Sequence, residues 1–385
     1  MNEPRVDIAV VGAGPVGLAA GLAFSEAGYT VAVIGPAGRG RDGRTSALLA
    51  GSVAFLEKIG AWLALEPSAA ALRTLRIVDA TDRLIRAPEV SFESTEIDLE
   101  AFGYNIPNVA LVSALETAIA EKGVRRISAT AADFEFAADS VQIALSDAST
   151  IECRLVVGAD GRHSATRGAA GISVDTWRYD QSALVVNLEH SERHHDTSTE
   201  FHTTTGPFTL VPLPGKKSSL VWVGSTRETS ERAALSDGGL ARAIEERSAS
   251  ILGRIEIDGD RQVFSLGGMT ARRFAGERVA LAGEAAHVFP PIGAQGLNLG
   301  YRDDSTLADL VAGPLADPGA SELLATFDKE RRGDIVSRSA AVDALNRTLL
   351  SDLLPIQGVR GLGLFLLDRL PPLRRAIMRR GVAAV

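Results

Sequence analysis

The fold class follows from one stretch, V-D-I-A-V-V-G-A-G-P-V-G-L-A-A-G-L-A-F-S-E-A-G-Y-T-V-A-V-I, residues 6–34. Its apolar run Ile8–Val11 is typical of a buried parallel strand. The turn that follows, residues 12–17, fits the pattern G-x-G-x-x-G. A helical pattern over 18–27 and a second strand pattern over 29–34 complete the unit. This order of strand, glycine turn, helix and strand predicts an α/β fold.

Each glycine of the turn has its own physical role. Gly12 allows the tight turn, Gly14 lets the backbone approach a pyrophosphate, and Gly17 lets the helix pack closely on the strand. The N-terminus of the helix supplies free N–H groups and the positive end of the helix dipole. The turn therefore predicts a dinucleotide site that includes Gly12, Gly14, Pro15, Val16 and Gly17.

The second strand lacks the acidic residue that usually binds the adenosine ribose in such a unit. It ends Val33-Ile34-Gly35-Pro36, which argues against an ordinary NAD-dependent dehydrogenase. The nearest polar candidates are Asp42 and Arg44 in the basic loop G-R-G-R-D-G-R-T-S, and Arg44 is predicted to contact the cofactor. The alternative is that this loop is a solvated surface turn.

Length, composition and charge limit the other possibilities. A chain of 385 residues suggests two domains, or one large domain with an insertion. A net charge of −8 argues against a protein that binds nucleic acid with its whole surface. Cys153 is the only cysteine, so no intramolecular disulfide can form. There is no signal-peptide pattern and no apolar run of the ~20 residues that span a bilayer, so we expect a cytoplasmic protein.

Two later segments also combine a strand with a glycine turn. The first is R-L-V-V-G-A-D-G-R-H-S-A-T-R, residues 154–167, in which Asp160-Gly161 forms a turn and Ser164 is a plausible helix N-cap. The second is G-E-A-A-H-V-F-P-P-I-G-A-Q-G-L-N-L-G-Y-R-D, residues 283–303. It follows a strand pattern, so Glu284 stands where open α/β sheets bind ligands.

Together these segments resemble the flavoprotein aromatic hydroxylases of the para-hydroxybenzoate hydroxylase type, and among them the ubiquinone-biosynthesis hydroxylases. The resemblance extends to D-G-R-T-S-A-L at 42–48, F-G-Y-N-I-P-N at 102–108 and G-P-F-T-L-V-P-L-P at 206–214. It implies that the three motifs hold one FAD. Two positions depart from the family pattern: Glu284 replaces an aspartate, and Val109 stands where relatives often have an arginine that contacts the pyrophosphate.

The loop within 283–303 suits a planar flavin. Pro290-Pro291 stiffen the chain, and Gly293 and Gly296 allow backbone to lie flat against a ring. We expect a helix from about Leu297 whose free N–H groups face the pyrimidine edge of the flavin. The candidate FAD contacts in the later segments are Asp160, Gly161, Glu284, Pro291, Gly293, Gln295, Gly296, Leu297 and Asn298.

The residues between the motifs predict a second module. Alternating β-prone runs over 175–265 indicate an antiparallel sheet, which in the resembling family covers the flavin and forms the substrate pocket. Phe208, Leu210 and Pro212 are candidates for the apolar wall of that pocket, or else ordinary sheet core. His190, His194, His195 and His202 lie in a polar segment without the spacing of a metal site, so we predict a solvated loop and no metal.

The predicted architecture is α/β: a Rossmann-like FAD-binding domain, an inserted and mostly antiparallel β-sheet substrate domain, and a C-terminal helical segment. The FAD domain is predicted to be discontinuous, over 1–75, 100–172 and 266–345. The substrate domain takes 76–99 and 173–265, and the helical segment 346–385. His287, between the 283–284 turn and the proline loop, is expected either to pack beneath that loop or to orient it by hydrogen bonding.

The resemblance implies an FAD-dependent monooxygenase. NAD(P)H reduces the flavin, O₂ adds at the flavin C4a position, and the resulting hydroperoxide hydroxylates an electron-rich, apolar aromatic substrate. The resemblance to the ubiquinone-biosynthesis hydroxylases implies a polyprenylated phenol as the substrate. The sequence does not identify a catalytic acid or base. Alternatives are a flavin-dependent reductase or dehydrogenase of the same fold and a non-catalytic flavin-binding assembly subunit. A halogenase is disfavoured because Trp62, Trp177 and Trp222 do not form a W-x-W-x-I-P segment.

The C-terminal segment, residues 361–380, combines leucines with a cluster of arginines in an otherwise acidic chain. Such a segment can lie in a membrane interface, where each arginine contributes about 1 kcal/mol of attraction to anionic lipid. The same residues suit a docking surface for a partner protein, or a helix whose leucines pack on the FAD domain. All three interpretations stay open at this stage.

Overall fold

The computed structural model describes residues 5–36, 42–81, 88–290, 294–313, 317–350 and 370–382. Within these ranges the chain forms three β-sheets and a set of covering helices. The helices are α1 (Pro15–Glu26), α2 (Ala50–Lys58), α3 (Trp62–Leu65), α4 (Asn108–Glu121), α5 (Ala165–Ala169), α6 (Thr226–Ala233), α7 (Asp237–Arg247), α8 (Gln295–Val311), α9 (Ser321–Leu350) and α10 (Pro371–Val382).

The first sheet has a parallel centre with the strand order β17-β18-β11-β1-β2-β8. Its middle strands are buried runs of apolar residues, and Ile8 pairs with Leu155 on one side and Val31 on the other. Two further strands, β9 and β10, extend it in antiparallel fashion from β11. Its strands are β1 (Arg5–Val11), β2 (Val31–Ile34), β8 (Arg125–Ile127), β9 (Ala131–Phe136), β10 (Val141–Leu145), β11 (Thr150–Gly158), β17 (Ala275–Gly276) and β18 (Val279–Leu281).

The first βαβ unit forms as its sequence predicts. The helix begins at Pro15, earlier than the predicted Leu18, because the fixed φ of proline suits the first helical position. After the helix, Gly28 adopts a left-handed conformation with φ +88° before β2.

The second sheet is mostly antiparallel, with the order β19-β16-β12-β15-β14-β13-β5-β6. Its strands are β5 (Thr74–Asp79), β6 (Val90–Glu93), β12 (Val174–His190), β13 (Thr197–Thr203), β14 (Gly206–Leu213), β15 (Lys217–Gly224), β16 (Ile255–Ala271) and β19 (His287–Val288). A small third sheet contains β3 (Thr45–Leu49), β7 (Gly103–Pro107) and β4 (Ala70–Leu72). The mixed α/β architecture is confirmed, whereas the domain boundaries stay a prediction.

The C-terminal helix α10 packs on the end of β6 and the short turn after it. Met378 is buried against Ile97 and Phe102. The guanidinium of Arg374 lies 4.5 Å from the centre of the Phe92 ring and donates two hydrogen bonds to Glu96, at 2.6 and 2.7 Å. The preceding part of the arginine-rich segment, residues 361–369, lies outside the described residues. No helix among the described residues is long and apolar enough to cross a membrane.

Candidate functional site

The three glycine-containing segments meet at one edge of the first sheet. Ala159 follows β11 and donates its N–H to the Val11 carbonyl at the end of β1, at 2.7 Å. Ala282 follows β18 and donates to the Gly158 carbonyl at 2.9 Å. A Cβ added to Gly283 would lie 3.1 Å from a methyl group of Val16 in the first turn of α1. Segments far apart in sequence therefore form one surface at the carboxyl ends of parallel strands, where such sheets bind ligands.

The three glycines of the first turn fall into two classes. A Cβ on Gly12 would lie 2.1 Å from the Ala159 carbonyl oxygen, and one on Gly17 would lie 2.0 Å from the Gly12 carbonyl oxygen. A Cβ on Gly14, in contrast, would have no protein atom within 4 Å. Gly12 and Gly17 are thus required by the packing of the chain itself, while the space beside Gly14 is free for a ligand.

Two helices begin at this edge without a side-chain cap. The N-cap of α1 is Gly14 and that of α8 is Ala294, and neither first turn contains an acidic residue. Ala294 has a left-handed conformation with φ +53°, which is not helical, and α8 begins at the next residue, Gln295. This start is two residues before the expected Leu297. The uncapped N–H groups and the two helix dipoles make this edge suited to an anionic ligand.

The side chain of Asn298 serves the chain rather than an open site. Its oxygen accepts hydrogen bonds from the Leu49 N–H at 2.8 Å and the Ser52 hydroxyl at 2.7 Å. Its NH₂ group donates to the Ala47 and Ala294 carbonyls at 2.8 and 2.6 Å. Because both amide hydrogens are used, a cofactor contact from Asn298 would come from its backbone. Gln295, Gly296 and Leu297 occupy the first turn of α8 beside it.

The Asp160 carboxylate is turned toward its own segment. It accepts hydrogen bonds from the Ser164 hydroxyl and from the backbone and hydroxyl of Thr166, at 3.0 and 3.1 Å. Ser164 is the N-cap of α5, as the sequence predicts, and accepts the Arg167 N–H at 2.9 Å. Gly161 has φ +82° and open space around it. Asp160 therefore fixes the turn, and the backbone of Gly161 borders the open side.

Arg44 and Glu284 lie close enough to interact electrostatically. Two hydrogen bonds from the Arg44 guanidinium to Asp42, both 2.8 Å, raise the pKa of Arg44, and the charge of Glu284 adds to this effect. Burial alone would raise the pKa of Asp42, but the hydrogen bonds from Arg44 outweigh it and lower that pKa. Glu284 is exposed at the end of β18. Asp42 and Arg44 thus lie near the edge where Glu284 stands.

Pro291 and Gly293 lie outside the described residues. Val109, where the family pattern has an arginine, is 44% exposed at the start of α4 and adds no donor.

A buried ionic cluster supports the edge from behind. The Asp303 carboxylate accepts hydrogen bonds from the Gly283 N–H at 2.9 Å and from Arg331 Nε at 2.7 Å, and lies 2.7 Å from His287 Nε2. Both Asp303 and His287 are fully buried, and His287 also packs between Phe274 and Phe289. His287 therefore both packs and makes a hydrogen bond, and Asp303 ties the Gly283 turn to α9.

Asp304, the next residue, has a contrasting environment. Both carboxylate oxygens are buried and have no hydrogen-bond partner among the described residues. Burial, reinforced by the neighbouring charge of Asp303, raises the pKa of Asp304 well above its usual range. Burial therefore favours the protonated form of Asp304, whereas the charges of His287 and Arg331 favour the ionised form of Asp303 by lowering its pKa.

The second sheet has two distinct faces. Its outer face carries Leu184, Phe208, Leu210 and Trp222, which pack with Leu240 and Ile244 of α7. Phe208 and Leu210 are thus sheet core, the alternative that the sequence left open, and Pro212 follows them on the same side. The Pro212 carbonyl accepts a hydrogen bond from the Asn105 side chain at 2.9 Å, which ties β14 to the small sheet.

We call the opposite side the inner face and define it by Val185, Asn187, Thr209, Val211 and Val221. Strand register places these residues together, since Val185 pairs with Val221, which pairs with Thr209. The Asn187 side chain donates to the Gly43 carbonyl at 2.9 Å, so the inner face looks toward the Arg44 loop. Its three valines are only partly buried. Alternation along the strands predicts two faces, but it does not show which one a ligand meets.

The histidine segment differs from the predicted solvated loop. His190 and His202 are buried, with 6% and 8% of their surfaces exposed. His190 contacts the Glu192 carbonyl and the Ser218 hydroxyl, and burial lowers the pKa of its imidazole. No group of three or more potential ligand residues suited to a metal ion occurs in the part of the chain that the structure describes.

A family described as FAD binding domain matches residues 5–339 of this sequence. The chain belongs to this family. FAD fits the arrangement, since its pyrophosphate suits the open space beside Gly14 and the uncapped starts of α1 and α8.

Individual relatives agree with the family assignment. Ubiquinone hydroxylase UbiL of Rhodospirillum rubrum is 34% identical over 390 residues, which cover 98% of this chain and 90% of that protein. The 3-demethoxyubiquinol 3-hydroxylase of Escherichia coli is 29% identical and covers 98% of both chains. The crystal structure of p-nitrophenol 4-monooxygenase PnpA from Pseudomonas putida superposes with a TM-score of 0.81 at 17% identity, over 99% of each chain. The expectation of an FAD-dependent monooxygenase is confirmed.

Proposed function

We propose that this protein hydroxylates the ring of a polyprenylated phenol in ubiquinone biosynthesis. The proposal rests on the three partly exposed valines of the inner face. The Asn187–Gly43 hydrogen bond turns this face toward Arg44, beside the edge of the first sheet that suits FAD. Val185, Val211 and Val221 provide apolar surface for a ring or an isoprenoid chain, replacing Phe208 and Leu210 as the candidate wall. The names of the two relatives, both of which act on ubiquinone-type compounds, support the same substrate class.

The chain's own residues position the reactants. The backbone at Gly14 and the starts of α1 and α8 would hold the anionic parts of FAD, and the Glu284 carboxylate would accept a hydrogen bond from a hydroxyl of the ribityl chain. When bound, FAD takes electrons from NAD(P)H and uses O₂ to supply an electrophilic oxygen atom. The inner face holds the aromatic ring and excludes water from it.

The experiment uses purified holoenzyme, NADH or NADPH, ¹⁸O₂ and a phenol that bears a short prenyl chain. We expect product whose mass increases by one ¹⁸O atom per turnover. A reductase of the same fold would give reduced product without ¹⁸O, and a non-catalytic flavin-binding subunit would give no product with FAD fully bound. Either result would contradict the proposal.

The position of the C-terminal segment bears on how the substrate arrives. We also propose that residues 361–380 contact anionic lipid, but with fewer arginines than the sequence offers. Arg374 and Arg379 pair with Glu96 and Asp98 of the same chain. Arg375 is exposed, and it supports contact with lipid or a partner protein. Full-length protein that floats with anionic vesicles at low salt and is released at high salt would favour lipid. Protein that never floats would contradict contact with lipid and would leave two interpretations of the segment, a helix packed on its own chain or a docking surface for a partner protein.

A further inference from the structure

Glu200 is an acidic side chain on the inner face of the second sheet. Strand register also places Glu189 and Asp258 on that face, but both pair with Lys217. Glu200 of β13 pairs in register with Thr209, and Thr209 pairs with Val221. Glu200 therefore shares a row with the valines of the proposed pocket and points to the same side. Its side chain is 28% exposed, so a ligand in front of the sheet can reach it.

Two neighbours orient the Glu200 carboxylate. His202, two residues along the same strand, places Nε2 at 2.8 Å from Oε1 of Glu200. The Thr209 hydroxyl donates to Oε2 at 3.4 Å. His202 is almost fully buried and lies beside Glu200 on the same side of β13, where it holds the carboxylate. Because a carboxylate has about four acceptor positions, acceptor capacity remains for a further donor.

The other acids near the site are already used or out of reach. Asp303 and Asp304 are fully buried behind the edge, and Asp160 is bonded within its own turn. Asp42 is held by Arg44 in two hydrogen bonds. Glu284 stands at the opposite edge, among the cofactor-binding segments. Of these carboxylates, Glu200 is the one placed on the apolar surface where the ring is proposed to lie.

We infer that Glu200 is the general base that activates the phenol, an inference that rests on the proposed function. The phenol O–H bond breaks, its proton passes to the Glu200 carboxylate, and the electron pair stays on the phenol oxygen. Delocalisation of that pair into the ring makes the ring carbon a stronger nucleophile toward the electrophilic oxygen supplied by FAD and O₂. After oxygen transfer, the ring carbon loses its hydrogen as a proton to solvent, and the proton on Glu200 returns to the phenolate oxygen.

The test compares Glu200→Gln with wild-type holoenzyme on the short-chain prenylphenol. Hydroxylated product should form about 10²-fold more slowly, the lower end of what general-base catalysis contributes. FAD content and the rate of anaerobic flavin reduction by NAD(P)H should stay at wild-type values, since Glu200 belongs to β13 and not to the segments that form the cofactor-binding edge. Glu200→Asp should recover part of the lost rate.

A matched control makes the same charge change on the same side of the sheet, two residues beyond Asn187, at an acid that already has a partner. Glu189→Gln on β12 removes a carboxylate that pairs with Lys217, and it should leave product formation unchanged. Thr209→Val removes one orienting hydrogen bond without changing charge, and a several-fold loss of product is expected even if Glu200→Gln proves unstable.

The outcomes separate the inference from the proposed function. Wild-type protein that forms no hydroxylated product contradicts the function itself. Wild-type protein that hydroxylates the phenol, with Glu200→Gln and Thr209→Val at the same rate, overturns the role of Glu200. A parallel loss of FAD and product in both variants would instead show a structural role.

Discussion

The two surfaces that frame the proposed site are built differently. At the edge of the parallel sheet, the elements that face the ligand are backbone N–H groups, helix dipoles and the open space beside Gly14. On the inner face of the antiparallel sheet they are side chains, namely valines and Glu200. Backbone recognition needs a fixed chain geometry and so fixes glycine positions, whereas side-chain recognition can be met by many residues. In the proposed function, the first surface binds the cofactor and the second selects the substrate.

The largest expected effect concerns a glycine required by the chain itself. Gly17→Ala places a Cβ only 2.0 Å from the Gly12 carbonyl oxygen, so the backbone must move. We expect a loss of about 3 kcal/mol or more in the free energy of unfolding of the apoprotein. Urea denaturation measures it. Gly168→Ala in α5, which has open space around it, is the control and should change stability little. Equal stability of the two variants would contradict the division of the glycines into two classes.

A smaller effect is expected where a side chain supplements the backbone edge. Glu284→Ala should weaken FAD binding by about 1.5–3 kcal/mol if the carboxylate accepts a ribityl hydroxyl. Glu284→Asp should keep much of the affinity. Titration of apoprotein with FAD measures both, and Glu277→Ala, an exposed acid before β18, is the control. Unchanged affinity in Glu284→Ala would show that this side chain serves only to attract Arg44.

The smallest effect concerns the buried support behind that edge. The folded-state pKa of Asp304 is raised by burial, so the folded chain retains a proton that the unfolded chain releases above about pH 4. Folding stability is therefore lost as pH rises through that range. Asp304→Asn removes this loss, so its stability relative to wild type should increase as pH rises above about 4, by at most about 1.4 kcal/mol for each pH unit. Asp309→Asn, which makes the same change at an exposed position of the same helix, is the control. A stability difference independent of pH would contradict a raised pKa of Asp304.

The same contrast explains what the sequence could predict. The G-x-G-x-x-G turn, the Asp160-Gly161 turn and the helix after Ala294 follow from backbone requirements that only a few residue types meet. The sequence could not identify the inner face, because the alternation of Leu184 and Val185 shows two faces without showing which one meets a ligand. The pairing of Asp303 with Arg331 was also missed, since charged residues in a helix usually indicate a solvent-exposed surface.

The most direct test of the central claim is Gly14→Val. Of the three glycines in the first turn, Gly14 is the one where an added Cβ would meet no protein atom. The account predicts that the purified variant lacks flavin absorbance while its urea unfolding midpoint matches that of wild-type apoprotein. A variant that retains full flavin absorbance would contradict the assignment of this edge to the FAD pyrophosphate.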